Sequence, residues 1–259
     1  MKIKIIILLI LFLPSILLFG QDRRAVASIE QESFDVLLFT KTAAFRHESI
    51  EPAVEVLLEQ AILHDFNIVH SEDSELFYED ILDSFEVVVF LSTTGDILND
   101  EQQSVFEKYI QAGNGFVGIH AATDTEYEWP WYNGLVGAYF ADHPAEHQDA
   151  TILKIGTHHS TDHLANSFTR YDEWYNFKSL KSHIHPILNL NENSYEGGTM
   201  GSYHPISWYQ FYDGGRSWYT AGGHNEDSYY EDDFIEHIVR GIFWAAGMDP
   251  ATVGSKGLK

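Results

Sequence analysis

The sequence predicts an α/β protein, a three-layer α/β/α sandwich with a mostly parallel central sheet. Short apolar runs alternate with stretches of helical periodicity through the first half of the chain, a pattern typical of right-handed βαβ crossovers and therefore of parallel strands. The run at residues 86–91 is apolar on both faces, as expected of a central parallel strand. No linker-like segment interrupts residues 34–247, so we expect a single domain over that range.

Each predicted element has its own local signal. Helix 47–64 carries Pro52 in its first turns and apolar residues on one face. Helix 100–112 follows a capping Asn99 and ends at Gly113. In the first half we also expect strands at 34–39, 67–70, 86–91 and 115–119, and a short helix at 75–82. In the second half, which is richer in β-structure, we expect strands near 151–155, 186–190, 206–210 and 216–220, and a closing helix at 231–246.

Residues 1–20 have the pattern of a cleavable signal peptide. Two lysines form a basic start, and residues 5–19 form an apolar run that is too short for a comfortable membrane span. Cleavage after residue 20 would leave a polar lead-in at 21–33 before the domain, and a tail at 248–259 follows it. We therefore expect a secreted or periplasmic protein with no stable membrane insertion after signal cleavage.

The composition excludes several classes of function. The chain has no cysteine, so it cannot be a cysteine enzyme, and its stability must come from its core or from a bound metal rather than from disulfides. The net charge of −24 at pH 7 repels nucleic acid and anionic membrane surfaces. Aromatic residues make up 14% of the chain, which suits either a sugar-binding cleft or simply a tyrosine-rich surface.

The sharpest candidate site follows the strand predicted to end at residue 119. In open α/β sheets, ligands bind beyond the carboxyl ends of the strands. His120 stands at such an end, with Gly118, Ala121 and Ala122 around it. Small neighbours permit the tight strand-to-helix turn of a nucleophile elbow, which exposes its central side chain. A histidine at this position suits a general acid/base or a metal ligand, and Asp124 follows closely.

Two other strand ends carry polar groups. Thr40, Arg46 and His47 follow the first predicted strand, where Arg46 suits an anionic or hydroxyl-rich ligand. A glycine pair precedes His224 and Glu226 after the last predicted strand. The glycines allow close backbone approach, and the carboxylate is placed to orient the imidazole.

The middle of the chain offers candidates for binding a sugar. Asp172, Glu173 and Trp174 combine carboxylates, which accept hydrogen bonds from hydroxyls, with a ring that can pack against a pyranose. Core packing is an equally good interpretation of Trp174. Trp131 and Tyr132 belong to an aromatic segment, interpreted here as a loop, that would wall the cleft after the elbow.

Many of these stretches, in this order, match a known family. The matching segments are Thr40-Lys41-Thr42-Ala43-Ala44-Phe45-Arg46-His47, Gly118-Ile119-His120-Ala121-Ala122-Thr123-Asp124, Trp131-Tyr132, Leu135-Val136-Gly137-Ala138-Tyr139-Phe140, His143-Pro144, Asp172-Glu173-Trp174-Tyr175-Asn176-Phe177, Pro205, Trp208, Gly215-Arg216, Tyr219-Thr220, Gly223-His224 and Gly241-Ile242-Phe243-Trp244-Ala245. The chain thus resembles the ThuA-like (trehalose-utilisation) family. That family's domain is similar to the class I glutamine amidotransferase fold, which is flavodoxin-like.

The resemblance implies a changed active site. It places His120 where an amidotransferase carries its cysteine nucleophile, and His224 and Glu226 where that fold carries its histidine and glutamate partners. Imidazole cannot replace a thiolate in releasing ammonia from glutamine, so glutaminase activity is excluded. The family implies a role in carbohydrate catabolism, with glycosides, disaccharides or oxidised (3-keto) sugars as substrates.

We therefore expect an enzyme that acts on a small-molecule carbohydrate by acid/base chemistry, with His120, His224, Asp124 and Glu226 as catalytic groups. Metal assistance fits the histidines, since zinc and similar divalent ions prefer such ligands. No contiguous metal motif is present, and the candidate ligands are His120, His224, His143 and His47. The alternatives are a non-catalytic carbohydrate-binding accessory protein, a metal-dependent hydrolase of another ester or amide, and a glycosidase with two catalytic carboxylates.

Overall fold

The computed structural model describes residues 33–248. The predicted signal peptide at 1–20 lies outside the described residues, as do the lead-in and the tail apart from residues 33 and 248. Among the residues described, no helix is both long enough and apolar enough to span a membrane.

A nine-stranded sheet forms the middle layer of the described chain. Among the same residues, a second sheet of two strands is not hydrogen-bonded to it. The strands are β1 (Asp35–Phe39), β2 (Asn67–Ser71), β3 (Val87–Leu91), β4 (Gly115–Ile119), β5 (Tyr139–Asp142), β6 (Gln148–Lys154), β7 (Ser167–Asp172), β8 (Asn176–Lys178), β9 (His185–Leu190), β10 (Pro205–Tyr212) and β11 (Gly215–Thr220). The helices are α1 (Ile50–His64), α2 (Glu79–Leu82), α3 (Asp100–Gln111), α4 (Pro130–Val136) and α5 (Asp232–Ala245). The large sheet has the order β2-β1-β3-β4-β11-β10-β9-β6-β7, and β5 pairs with β8.

The first five strands of that order are parallel, which confirms the predicted α/β class. Strand β1 pairs in parallel with both β2 and β3, and β4 pairs in parallel with both β3 and β11. In this register Leu91 and Thr220, the last residues of β3 and β11, both lie opposite Ile119, the last residue of β4. Three carboxyl ends therefore stand level at one edge of the sheet, where ligands bind in open α/β folds.

The remaining strands of the large sheet extend it by antiparallel pairing. Strand β10 pairs with β11 and β9, and β6 pairs with β9 and β7, all antiparallel. Because direction reverses at each step, β11, β9 and β7 run the same way. The carboxyl end of β7 therefore lies at the same edge of the sheet as those of β4 and β11.

Helices cover both faces of the parallel half. The connection from β1 to β2 runs toward one edge of the sheet, whereas the connections from β2 to β3 and from β3 to β4 run toward the other edge. Because such crossovers are right-handed, α1 lies on one face of the sheet and α2 and α3 lie on the opposite face. On the first face α5 brings Phe243 against Phe34 and Phe66, with ring centroids 5.1 and 5.7 Å away. On the other face Phe106 of α3 stacks on Phe90 of β3 at 5.5 Å.

Most of the predicted strands and the long helices are present, with ends that shift by a few residues. The helix expected at 75–82 is divided into a 3-10 turn at Ser74–Leu76 and the short α2. The aromatic segment expected to be a loop is instead α4, because Pro130 occupies the first turn, where its fixed φ suits a helix. Strands β5, β7 and β8 were not predicted, and β7 matters most for the site.

A buried histidine belongs to the core beneath α5. The Nδ1 of His237 lies 2.7 Å from the Ser160 carbonyl oxygen, and its Nε2 lies 3.1 Å from the Ser207 hydroxyl. Burial lowers the pKa of His237 from 6.5 to about 3. The native protein therefore holds this imidazole neutral at pH values where the unfolded chain would protonate it.

We predict that His237 contributes to loss of stability in mild acid. Its depressed pKa means that its contribution to stability is complete above pH 6.5 and falls as the pH drops toward 3, by about 1.4 kcal/mol per pH unit. His237→Gln should flatten the decline in unfolding free energy between pH 6.5 and 4, measured by urea melts at several pH values. His159→Gln is the control, because that side chain is 56% exposed. Equal slopes for the wild type and His237→Gln would contradict the prediction.

Candidate functional site

The turn after β4 has the strained geometry of an elbow. His120 has a φ of +50°, in the left-handed region that side chains other than glycine rarely adopt. A Cβ at Gly118 would lie 3.0 Å from the Tyr219 ring and 3.2 Å from the Ala122 methyl group, so the position favours glycine. The imidazole of His120 is fully buried at this turn. Backbone strain held by a close-packed surround is typical of functional sites.

Four ligand atoms converge around His120. Its Nε2 lies 3.2 Å from the Nε2 of His47 and 3.2 Å from the Nδ1 of His224. The Oε2 of Glu173 lies 3.0 Å from that Nδ1 and 3.6 Å from the Nε2 of His120. All four atoms are within 4.8 Å of one another, and they could hold a metal ion.

The spacing of this His/Glu cluster fits a tetrahedral divalent ion. With metal–ligand distances of about 2.1 Å, neighbouring tetrahedral ligands are about 3.4 Å apart. The four distances given above range from 3.0 to 3.6 Å. Imidazole nitrogen and carboxylate oxygen are also donors that zinc accepts. Four of the six separations are thus close to tetrahedral spacing and all six are within 4.8 Å, with Glu173 in place of the His143 that the sequence suggested.

The protonation of the histidines favours metal binding too. The Nδ1 of His120 is 2.8 Å from the Ala221 carbonyl oxygen, so Nδ1 carries the proton and the Nε2 lone pair faces the cluster. Burial, reinforced by the neighbouring imidazoles, lowers the pKa of His120 to about 3 and that of His47 to about 2. Burial works to raise the pKa of Glu173, but the hydrogen bond and charge from His224, with the other histidines, lower it overall. Neutral imidazoles and an ionised carboxylate are the forms that bind metal.

Each cluster residue follows a strand that ends at the same edge of the sheet. His47 follows β1, His120 follows β4, Glu173 follows β7 and His224 follows β11. Strand β7 is the last in the sheet order, four strands from β11. Glu173 nevertheless contacts His224, so the antiparallel half must curl back to bring the end of β7 to the end of β11.

Asp172 holds these two distant strand ends together. Its fully buried carboxylate accepts hydrogen bonds from the backbone N–H groups of Glu173 (3.0 Å), Gly223 (2.8 Å) and His224 (3.1 Å). The guanidinium of Arg170 lies 3.5 Å away and balances part of its charge. Asp172 thus fixes the backbone of both residues that supply the outer half of the cluster.

Two more histidines stand outside the cluster. The outer oxygen of Glu173, Oε1, lies 3.2 Å from the Nδ1 of His143 and 4.0 Å from the Nε2 of His147. Their side chains are 39% and 32% exposed. His143, expected as a metal ligand, therefore contacts the carboxylate rather than the cluster centre.

An open cleft of about 620 Å³ begins at His224. Phe45 and Tyr171 line it with rings that are 62% and 53% exposed. Arg46 also lines the cleft, but its guanidinium is held by Glu51 and Glu72 at 2.7 and 2.8 Å. Several carboxylates complete the lining, namely Glu48, Glu226, Asp227 and Glu231.

Several predicted site residues lie close to the cluster or the cleft without belonging to the cluster. Glu226 is exposed at the cleft, and Glu173 rather than Glu226 contacts the imidazole of His224. Asp124 accepts a 2.6 Å hydrogen bond from Tyr127, and burial raises its pKa.

Other predicted site residues serve the surrounding structure. The hydroxyl of Thr40 lies 2.8 Å from the Nε2 of His70. The indole of Trp174 is buried and donates to the Gln148 carbonyl oxygen at 2.8 Å.

The structure does not bring Trp131 or Tyr132 to the cluster. The indole of Trp131 donates to Asp213 at 2.8 Å, in the turn before β11 and hence at the opposite edge of the sheet from His224. Tyr132 is fully buried, and its hydroxyl donates to the Ala122 carbonyl oxygen at 2.7 Å. Both aromatic rings support the turn and helix α4 rather than the cleft.

His147 had no recognised signal in the sequence, and Tyr175, which follows the predicted sugar-binding residues Asp172, Glu173 and Trp174, also lies at the cluster. The His147 ring lies 4.5 Å from that of His224, and the Tyr175 ring lies 4.4 Å from that of His120. Recognising β7 would have helped, since Phe168, Thr169 and Tyr171 are residues that favour strands. That strand would have placed the following residues at the correct edge of the sheet.

Comparison with known proteins agrees with this fold. The family model described as trehalose utilisation, ThuA, matches residues 35–245. The chain therefore belongs to the ThuA family, which associates it with carbohydrate utilisation. No curated protein matches the chain.

Solved structures share the fold at low sequence identity. A ThuA-like protein from Bacteroides uniformis is 20% identical, with a TM-score of 0.70 over 84% of this chain and 94% of that one. A ThuA-like protein from Parabacteroides merdae is 19% identical, with a TM-score of 0.68 over 88% and 93%. A GMP synthase subunit from Thermoplasma acidophilum is 15% identical, with a TM-score of 0.50 over 84% and 96%. These neighbours confirm the amidotransferase-like fold.

We predict that Asp172→Asn weakens Zn²⁺ binding by about 10- to 100-fold, as loss of outer partners of metal ligands typically does. The amide keeps the shape of the side chain but replaces one acceptor oxygen with a donor facing N–H groups. The dissociation constant would be measured by competition with a chromophoric chelator, well below the melting temperature of each variant. Asp162→Asn is the control, because that carboxylate contacts only the exposed His159 in its ion pair. Unchanged affinity in Asp172→Asn would refute the positioning role.

Proposed function

We propose that this chain is a metal-dependent enzyme that acts on a glycoside, a disaccharide or an oxidised (3-keto) sugar. The observation that carries the proposal is the convergence of His47, His120, Glu173 and His224 at the mouth of an open cleft. Three of these residues are buried, whereas the side chain of His224 is 19% exposed on the cleft side. Four protein ligands would fill a tetrahedral site, so catalysis would require the ion to take a fifth ligand from the cleft that His224 lines, as zinc does when it expands its coordination.

The lining of the cleft supports a neutral sugar as the substrate. Exposed rings such as those of Phe45 and Tyr171 can pack against the C–H face of a pyranose. Carboxylates in the lining, such as Glu226 and Asp227, can accept hydrogen bonds from hydroxyl groups. The same carboxylates repel anions. The guanidinium of Arg46 is already paired with two carboxylates, those of Glu51 and Glu72. An anionic substrate is therefore disfavoured.

We assign different roles to the residues of the cluster. A bound divalent ion would supply Lewis acidity toward a carbonyl or hydroxyl oxygen of the sugar. His120 is fully buried, so we assign it to holding the ion rather than to touching the sugar. Glu173 presents one oxygen to the cluster and the other to His143 and to His147, and we assign His147, which lines the cleft, to proton exchange with a substrate or water.

We further propose that the protein is exported, on the signal-peptide pattern of residues 1–20. Its partner would be a small-molecule carbohydrate, with no role for nucleic acid, because a net charge of −24 disfavours that contact.

The metal is tested by composition. Purified mature protein should contain close to one equivalent of zinc or a similar divalent ion, measured by plasma mass spectrometry. His224→Ala should lose most of it, because one of four ligands disappears from a preformed site. His159→Ala, at an exposed histidine, should retain it. A metal-free protein with full activity would remove the metal from the proposal.

Turnover is tested by product analysis with glucosides and their 3-keto derivatives, with and without chelator. We expect His120→Ala to lower kcat/KM by at least about 100-fold, and chelator to abolish turnover. His224→Ala, at a less buried position, provides a second variant should the elbow variant unfold, and His159→Ala is the control. Sugar-dependent thermal stabilisation without turnover of any substrate would instead identify a non-catalytic carbohydrate-binding protein. Turnover of simple esters but not glycosides would identify another metal-dependent hydrolase.

A further inference from the structure

A second cavity, of about 130 Å³, lies between the start of α5 and the curled antiparallel half of the sheet. Six side chains give it an apolar lining, namely Ile152, Leu164, Phe168, Leu188, Ile206 and Phe234. All of them except Phe168 are buried, so the lining is part of the core rather than a surface patch.

The size of this cavity suits one six-membered ring. An apolar cavity of about 150 Å³ in a protein core is known to bind benzene. A complete disaccharide needs far more room, so only one ring of a larger substrate could enter, against the six apolar side chains and beside polar groups such as Thr169 and Thr220.

Three of the four ionisable groups that line the cavity have partners, and the fourth, Asp233, is exposed to solvent. The guanidinium of Arg170 is bound to Glu231 at 2.6 Å, lies 3.5 Å from Asp172, and covers the Phe234 ring at 4.0 Å. His237 has a partner at each ring nitrogen, and burial lowers its pKa so that it stays neutral. A ligand here gains nothing from carrying a charge, so a neutral ring is favoured.

The cavity adjoins the sugar cleft. Glu231 lines both of them, and its ion pair with Arg170 stands where they meet. Along the chain, Gly222 lines the cavity and His224 lines the cleft. The side chain of Glu231 is 38% exposed, and if it moves aside, the Asp172 carboxylate 3.5 Å away still faces the guanidinium of Arg170, which is only 10% exposed.

We propose that this cavity is an aglycone subsite, which takes a small neutral aromatic or alicyclic group attached to the sugar in the cleft. The proposal rests on the proposed function for its sugar half, and it narrows the substrate class to glycosides of apolar alcohols. Such a substrate is bipartite: its hydroxyls meet the polar cleft, and its ring enters the apolar cavity beyond the pair of Arg170 and Glu231.

Two measurements test the subsite, one of them independent of turnover. Phenol should raise the melting temperature of the wild-type protein, additively with glucose, since the two would occupy separate places. Cyclohexyl β-glucoside should have a kcat/KM at least about tenfold above that of methyl β-glucoside, as expected for a filled apolar pocket, since the two alcohols are leaving groups of similar basicity. Leu164→Trp narrows the cavity and should abolish both effects, while Leu180→Trp, at a half-buried leucine outside the lining, should preserve them.

The outcomes separate this inference from the proposed function. Phenol binding that Leu164→Trp removes would support the cavity as a ligand site, even if no glucoside is turned over and the enzymatic proposal fails. Equal kcat/KM for the two glucosides in an active wild-type enzyme would overturn the aglycone role. If Leu164→Trp does not fold, a competition experiment replaces it. Phenol should inhibit turnover of the cyclohexyl glucoside but not of the methyl glucoside, and equal inhibition would overturn the proposal.

Discussion

The buried carboxylate of Asp172 is the constraint on which the site depends most. It joins the end of β7, the last strand of the sheet order, to the loop after β11 through backbone N–H groups on both sides. A buried carboxylate is costly unless its oxygens are satisfied, and here three N–H groups and the nearby Arg170 satisfy it. The same contacts that make Asp172 tolerable in the core also hold Glu173 and His224 within reach of each other.

Burial then determines the chemistry of the cluster. Burial, reinforced by the neighbouring imidazoles, lowers the pKa values of His47 and His120, so both are neutral at pH 7. The Nε2 lone pair of His120 faces the Nε2 of His47 and the Nδ1 of His224, each 3.2 Å away, and the Oε2 of Glu173 faces the same centre. A cation at that centre could bind all four ligand atoms, and His224 lines the cleft.

The fold keeps the geometry of an elbow while its chemistry has changed. A strained turn follows the central strand, as in enzymes that place a nucleophile there, but its residue is a histidine that points into a closed cluster. The position of the reactive residue is thus a property of the sheet, whereas its role depends on the side chains that the neighbouring strand ends supply. This explains why an amidotransferase-like fold carries, in this ThuA family member, a site without a thiol.

Local signals in the sequence were enough to predict the parallel half of the fold and the two histidines at the ends of β4 and β11. These signals are apolar periodicity, helix caps and the small residues around His120 and His224. In contrast, the pairing of distant strands decides that Glu173 joins the two histidines and that Trp131 does not. The direction of β7 follows from four successive antiparallel pairings between segments far apart in the chain. Local periodicity does not indicate which strands pair or how far a sheet curls.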